Sequence, residues 1–183
     1  MGIPAFAADH DRLDLFRFAD TRLSPKVACG FHAVSVDEAR QDFDPTLWEA
    51  DPRIVQALFP GAHADVGGGY PAGLESGLSD GALAWMQERL AGQGLRFAGT
   101  PAWVPAPAAG GPAHRPWAHF PWTHLPTGAR VLPAGLGLHR SVLDRMAAGP
   151  VAPEPGVAPE AYAPANLEAY VAGGAAKPGV VMA

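Results

Sequence analysis

The run Ile54-Val55-Gln56-Ala57-Leu58-Phe59 constrains the fold more than any other segment. It is short, almost wholly apolar, and stopped by Pro60-Gly61. With both alternations apolar, it predicts a strand buried on both faces, as in a parallel sheet, rather than the half-solvated strand of an antiparallel one. Parallel sheets belong to α/β proteins, whose ligands gather beyond the carboxyl ends of the strands. The residues directly after the run are His63-Ala64-Asp65-Val66-Gly67-Gly68-Gly69-Tyr70, so chemistry is expected there.

The rest of the chain supplies weaker signals. At 183 residues it can bury a substantial core, and 48% hydrophobic with 17% charged residues argues against general disorder. Its 22 glycines and 20 prolines are close to twice the usual share, which predicts long irregular stretches. Leu13, Leu15, Phe16 and Phe18 suggest a short half-buried strand. Ser24-Pro25 reads as a helix start, and Val27 to Val36 as a buried helix carrying Cys29 and His32. Ser79 is expected to cap a helix over Asp80 to Leu90, with Leu83, Met86 and Leu90 turned inward beside Trp85. Residues 98–135 read as a long ordered lid, because Trp103, Trp117, Phe120 and Trp122 call for burial. A short helix from Ser141 ends before Gly149-Pro150, and a Pro/Ala-rich tail follows.

Charge and cysteine content remove several functions. The net charge of −5 and the lack of any Lys/Arg run exclude a nucleic-acid footprint and a polybasic membrane patch. The single Cys29 excludes an internal disulfide framework. No apolar run reaches the length of a membrane span, and the first residues carry no cleavable secretion signal. The chain is therefore expected in the cytoplasm as synthesised, with export by a signal-less route open.

His63, beyond a strand end, has the chemistry of a general base near neutral pH. Asp65, two residues on, could orient an imidazole or cap the turn. Gly67, Gly68 and Gly69 permit the close backbone approach of a substrate pocket. His139 and His32 are rival histidines, the latter with Asp37 nearby in sequence. His32, Asp37, His63 and Asp65 have ligand chemistry for a metal but match no metal-binding spacing, so neither a metal nor another cofactor is expected. The tryptophan-rich stretch with His114, His119 and His124 reads as loop anchors, or as a surface that meets lipid. None of Ser24, Ser35, Ser76, Ser79 and Ser141 stands in a Gly-x-Ser-x-Gly elbow between a strand and a helix, since Ser79, in Gly77-Leu78-Ser79-Asp80-Gly81, reads as a helix cap, so no nucleophile is visible.

Several segments together resemble one family. They are His32-Ala33-Val34-Ser35-Val36-Asp37-Glu38-Ala39-Arg40, Pro45-Thr46-Leu47-Trp48-Glu49, and Phe59 to Pro71 with its HADVGGGY core. Leu78 to Met86, His139 to Met146 and Tyr162 to Leu167 follow in the family's order. The chain is identified on these motifs as a member of the DUF2235 group of α/β hydrolases, which includes the Tle1-like phospholipase effectors of type VI secretion. The resemblance implies the C-terminal part of a doubly wound hydrolase sheet over residues 1–170, with 171–183 as a tail. It also implies a Ser-His-Asp triad acting on lipid or other esters, with His63 and Asp65 the first choices for base and acid. An Asp65–His139 pairing is the rival suggested by the chain order Ser, acid, His. Met1-Gly2-Ile3-Pro4 resembles a segment that lies downstream of the nucleophile in the family. The expectation is thus a chain inactive alone, partnered by a separately encoded N-terminal half, or a non-catalytic binding module on a hydrolase scaffold.

Overall fold

The computed structural model describes residues 21–99, 102–172 and, for the backbone alone, 181–182. The strand expected around Leu13 to Phe18 lies outside the described residues. In chain order the elements are β1 (Gly30–Ser35), β2 (Ile54–Phe59), α1 (His63–Gly67), α2 (Gly77–Gly92), β3 (Gly137–His139), α3 (Arg140–Ala147), β4 (Pro150–Val151), β5 (Glu160–Ala161), α4 (Ala165–Ala172) and β6 (Val181–Met182). Short 3-10 turns occupy Gln41–Phe43, Pro116–Ala118 and Trp122–His124.

Strands β1, β2, β3 and β6 form one parallel sheet in that order, and β4 and β5 pair antiparallel apart from it. The register sets Gly30 beside Ile54 and Ser35 beside Phe59, so β1 and β2 end level. The two-residue strand β6 falls in the segment set apart as a tail from sequence and pairs with β3.

The sheet is covered on both faces, and the alternation of each strand sorts its side chains between them. Val34, Leu58 and Leu138 point to one side and pack with Val142 of α3 and with Leu167 and Tyr170 of α4. Ala57 and Phe59 point to the other, against Val66 of α1 and Ala82 and Trp85 of α2, with Phe31, Ala33 and Val55 alongside. This two-sided burial explains the unbroken apolar run of β2. The α/β expectation holds at this level: a parallel sheet with helices.

Several local expectations are overturned. Val27 to Val36 is not a helix: its second half is strand β1, and Cys29 precedes that strand. A strand buried on both faces has no polar alternation, so periodicity alone does not tell it from a buried helix. Gly30 opens β1 because the Trp48 ring lies 3.1 Å from where a Cβ would sit. Helix α2 starts at Gly77 with Ser76 as N-cap, and buries Leu78, Ala82 and Trp85 rather than Leu83. Residues 98–135 are irregular apart from the two 3-10 turns, but their aromatic residues are not all buried: Trp103 and Trp122 are substantially exposed and Phe120 is almost fully so.

Candidate active site

Because β1 and β2 end level, the segments that leave them meet. Asp37 and Glu38 follow β1; Gly61 to Asp65 follow β2. Backbone bonds lock the junction: Val36 N donates to Phe59 O at 2.9 Å and Asp37 N to Gly61 O at 3.1 Å. The chain enters α1 through Gly61, whose φ of +99° favours glycine.

His63 opens α1 and faces Glu38. Its Nδ1 lies 2.6 Å from Glu38 Oε2. Arg40 holds the same carboxylate, with Nε donating to Oε1 at 2.8 Å and Nη2 to Oε2 at 2.9 Å. Arg40 Nη2 is also 3.0 Å from His63 Nδ1. A guanidinium only donates, so Nδ1 cannot donate to Glu38 and accept from Arg40 together. The shorter contact to a carboxylate, and the prior use of Nη2 on Oε2, fix the proton on Nδ1. Nε2 is then the basic nitrogen. Phe43 stacks on the ring at 4.8 Å between centroids, and the Arg40 guanidinium lies 3.9 Å from the Phe43 centroid. Burial alone would push the Glu38 carboxyl up; hydrogen bonds from Arg40 and His63 outweigh it and hold it at about 2. Glu38 is thus a carboxylate at any physiological pH.

The His63 side chain is 46% exposed and lines a cavity of about 650 Å³. The cavity runs along β1 from Phe31 to Ser35 and takes in Phe43, Val66, Tyr70 and Met86, so it is mainly apolar. Among the described residues β1 pairs only with β2, and its other edge borders this cavity.

The other residues singled out from sequence stand as follows. Asp65 does not touch His63. Its Oδ2 accepts from Ala62 N at 2.9 Å, closing the first turn of α1, and from His114 N at 3.1 Å; its Oδ1 is 2.6 Å from His114 Nδ1. Burial pushes this carboxyl up, against the opposing bonds from His114 and Ala62. Tyr70 stacks on His114, and burial raises its hydroxyl to about 12. Gly67 and Gly68 line the cavity, whereas the N–H groups of Gly68 and Gly69 are both spent on Ala64 O. His32 lies on β1, 3.3 Å from Gln56 Oε1 and edge-on to Trp48. His139 ends β3, stacks on Phe59 and caps α3 by accepting from Ser141 N at 3.2 Å. Burial pushes its imidazole down to about 4. It lines a different cavity from His63. Asp37 accepts from Tyr162 Oη at 2.9 Å and from Gly61 N at 2.6 Å, and burial raises its pKa. Among the described residues no three histidine, cysteine or carboxylate side chains cluster as a metal site needs.

Sequence reading misses Glu38, although the signal is present. Once β1 is a strand, Asp37-Glu38 sits beyond its carboxyl end, beside the residues after β2.

The fold and site define the chain as an α/β protein with a parallel sheet and a carboxylate–histidine pair at adjoining strand ends. Residues 1–89 match the family described as "T6SS, Phospholipase effector Tle1-like, catalytic domain". This is the family the motifs resemble, a phospholipase effector family of type VI secretion, and the match takes in β1, β2, α1, Glu38 and His63. No curated protein and no solved structure gives a significant match.

Proposed function

We propose that this chain supplies the acid–base element of a serine-type lipid ester hydrolase, in the C-terminal part of a doubly wound hydrolase sheet with residues 98–135 as its lid. The observation that carries this reading is the Glu38–His63 pair, with the proton on Nδ1 and the ring facing an apolar cavity. His63 Nε2 takes the proton of a serine hydroxyl as it attacks the ester carbonyl, and Glu38 steadies the imidazolium that forms. The proton then passes to the leaving alcohol. Asp65, the first choice for the acid on sequence, serves instead to hold His114 and the turn into α1.

The serine comes from a strand seated on the edge of β1 that is unpaired among the described residues, in an upstream segment or a separately encoded half. Ser35, Ser76 and Ser79 line the cavity with His63, but their hydroxyls are bonded elsewhere: Ser35 Oγ accepts from Arg130 Nη1 at 2.6 Å, Ser76 Oγ donates to Asp80 Oδ2 at 3.0 Å and Ser79 Oγ donates to Ser76 O at 2.9 Å, while Ser141 Oγ pairs with His139. The chain alone is accordingly inactive. Its site of action is reached by export without a cleaved signal, as the effector family implies. No helix among the described residues is long and apolar enough to cross a membrane.

The test joins the chain to the coding sequence upstream of Met1, or co-produces the two parts, and follows hydrolysis of a phospholipid and a short-chain ester. Ester cleavage that is lost on His63→Ala supports the reading. Cleavage that survives His63→Ala and disappears on His139→Ala would move the base to His139. No cleavage by the joined protein would leave the scaffold as a binding module.

A further inference from the structure

Between Arg115 and Arg130 the chain carries no Asp, Glu, Lys or Arg, only His119 and His124 as titratable side chains. Within this uncharged stretch Phe120 is 90% exposed and Trp122 37% exposed, with Pro121 between them. Leaving a phenyl ring in water forgoes about 2 kcal/mol of transfer free energy, so a neutral stretch that displays aromatic groups calls for a partner.

The stretch is held firmly at both roots. His114 at one end is fixed through its backbone N and Nδ1 by buried Asp65. At the other end Thr127 forms an antiparallel bridge with Arg40, and Gly128 N donates to Ala39 O at 2.8 Å. The inner aromatic residue is wedged into the candidate site: Trp122 packs edge-on to Phe43 at 5.7 Å, and the Arg40 guanidinium lies 4.9 Å from its centroid. Phe43 is the ring stacked on His63. Trp122 thus abuts Phe43, a residue of the apolar cavity's wall, on a pre-ordered support, which lowers the entropy cost of docking.

We propose that Phe120, Pro121 and Trp122 form a tip that inserts into the surface of a phospholipid bilayer and seats the cavity mouth against it. The three tip residues carry no charge of their own into the headgroup layer, the nearby Glu154 carboxylate being bonded to His119; Trp favours that layer, and Phe reaches below it. The partner follows from the contact of Trp122 with Phe43, which lines an apolar cavity together with the partly exposed Trp103. The inference deepens the hydrolase reading by naming the physical form of its substrate, but adsorption is measured without turnover and stands or falls separately.

The experiment is sedimentation of the full chain with pure phosphatidylcholine vesicles, alongside tryptophan quenching by brominated phosphatidylcholine. The chain is expected to partition onto the vesicles, with little response to added salt. Phe120→Ser should weaken partitioning at least about tenfold while circular dichroism and the melting temperature stay unchanged, because the ring is exposed. Trp122→Phe should remove most of the quenched emission, and Phe120→Trp should keep binding. Absence of partitioning, or equal partitioning by Phe120→Ser, would overturn the proposal. So would binding that requires added phosphatidylglycerol and vanishes in salt, which would indicate a charged surface elsewhere. A dimer that Phe120→Ser converts to monomer, without vesicle binding, would assign the tip to self-association instead.

Discussion

Glu38 Oε2 stands 2.6 Å from His63 Nδ1, and the oxygens of that carboxylate also accept two side-chain bonds from the buried Arg40. Glu38 therefore has two separable tasks. One is to fix the tautomer of His63; the other is to neutralise a guanidinium that is only 2% exposed. Glu38→Gln removes both. In an active hydrolase of the proposed kind it should lower kcat by up to about 10⁴-fold, the loss seen when the orienting carboxylate of a triad is neutralised. In the chain itself it should cost about 3 kcal/mol by leaving Arg40 without its counter-ion, measured by urea unfolding. A variant that keeps full stability would show that Arg40 finds another partner.

The pH dependence of folding should show two acid windows. Burial holds His139 at about 4 in the folded chain against an ordinary value of 6.5, so between those values the unfolded chain binds more protons and stability falls as pH falls. Glu38 is held at about 2 against 4.5, so its stabilisation is present above 4.5 and lost as pH drops toward 2. The His139 window contributes on the order of 2–3 kcal/mol. His139→Asn keeps a side-chain acceptor at the N-cap of α3 and removes the titration, so it should flatten stability between pH 6.5 and 4.5 while leaving the loss due to Glu38 below, which the raised Asp37 and Asp65 carboxyls oppose. Chemical denaturation across that range reads the slopes directly. An unchanged upper window in His139→Asn would assign the slope to another group.

Asp65 and His114 form a second carboxylate–histidine contact, also 2.6 Å long, that ties the long loop to α1. Asp65→Asn should loosen this tie without disturbing His63. Amide exchange at Ala113, His114 and Arg115 should accelerate by about an order of magnitude or more, since loss of a buried charged acceptor costs about 1.5–3 kcal/mol locally. In an active hydrolase of the proposed kind, kcat should fall far less for Asp65→Asn than for Glu38→Gln. The reverse order would restore Asp65 as the orienting acid.

How much of the molecule is legible in the sequence follows from how each segment is buried. Strand β2 can be read because Pro60-Gly61 bounds a short run too brief for most helices. Strand β1 is hidden by the false helix start at Ser24-Pro25 and by burial of both alternations, Phe31 and Ala33 on one face and Val34 on the other. That one misreading also hides Glu38, since a carboxylate after a helix carries no special meaning and one after a parallel strand does. The His63 motif is visible as a spacing, but its partner is not: the contact spans 25 residues and exists only because β1 and β2 end level. The tryptophan-rich stretch misleads because large aromatic residues ordinarily call for burial. Their exposure depends on where the roots at His114 and Thr127 are fixed, which no local pattern encodes.

The glycines after β2 should separate into two kinds on substitution. Gly61 has φ +99°, and a Cβ there would lie 2.4 Å from Asp65 Cβ, inside any tolerable contact. Its N–H donates to Asp37 Oδ2 and its carbonyl accepts from Asp37 N, so a shift would also disturb the end of β1. Gly61→Ala should therefore cost about 3 kcal/mol or more and broaden the unfolding transition. Gly67, the last residue of α1, has no left-handed φ, and a Cβ there would meet nothing within 4 Å. Gly67→Ala should change stability by less than about 1 kcal/mol, with the helix gaining from the lower backbone entropy. Its methyl group enters the cavity beside His63, so in the completed enzyme it should raise KM for long-chain esters more than for short ones. Thermal unfolding of the two variants, followed by KM over a chain-length series, checks both halves. Equal stability loss at the two positions would mean that the turn into α1 shifts readily enough to relieve the clash with Asp65.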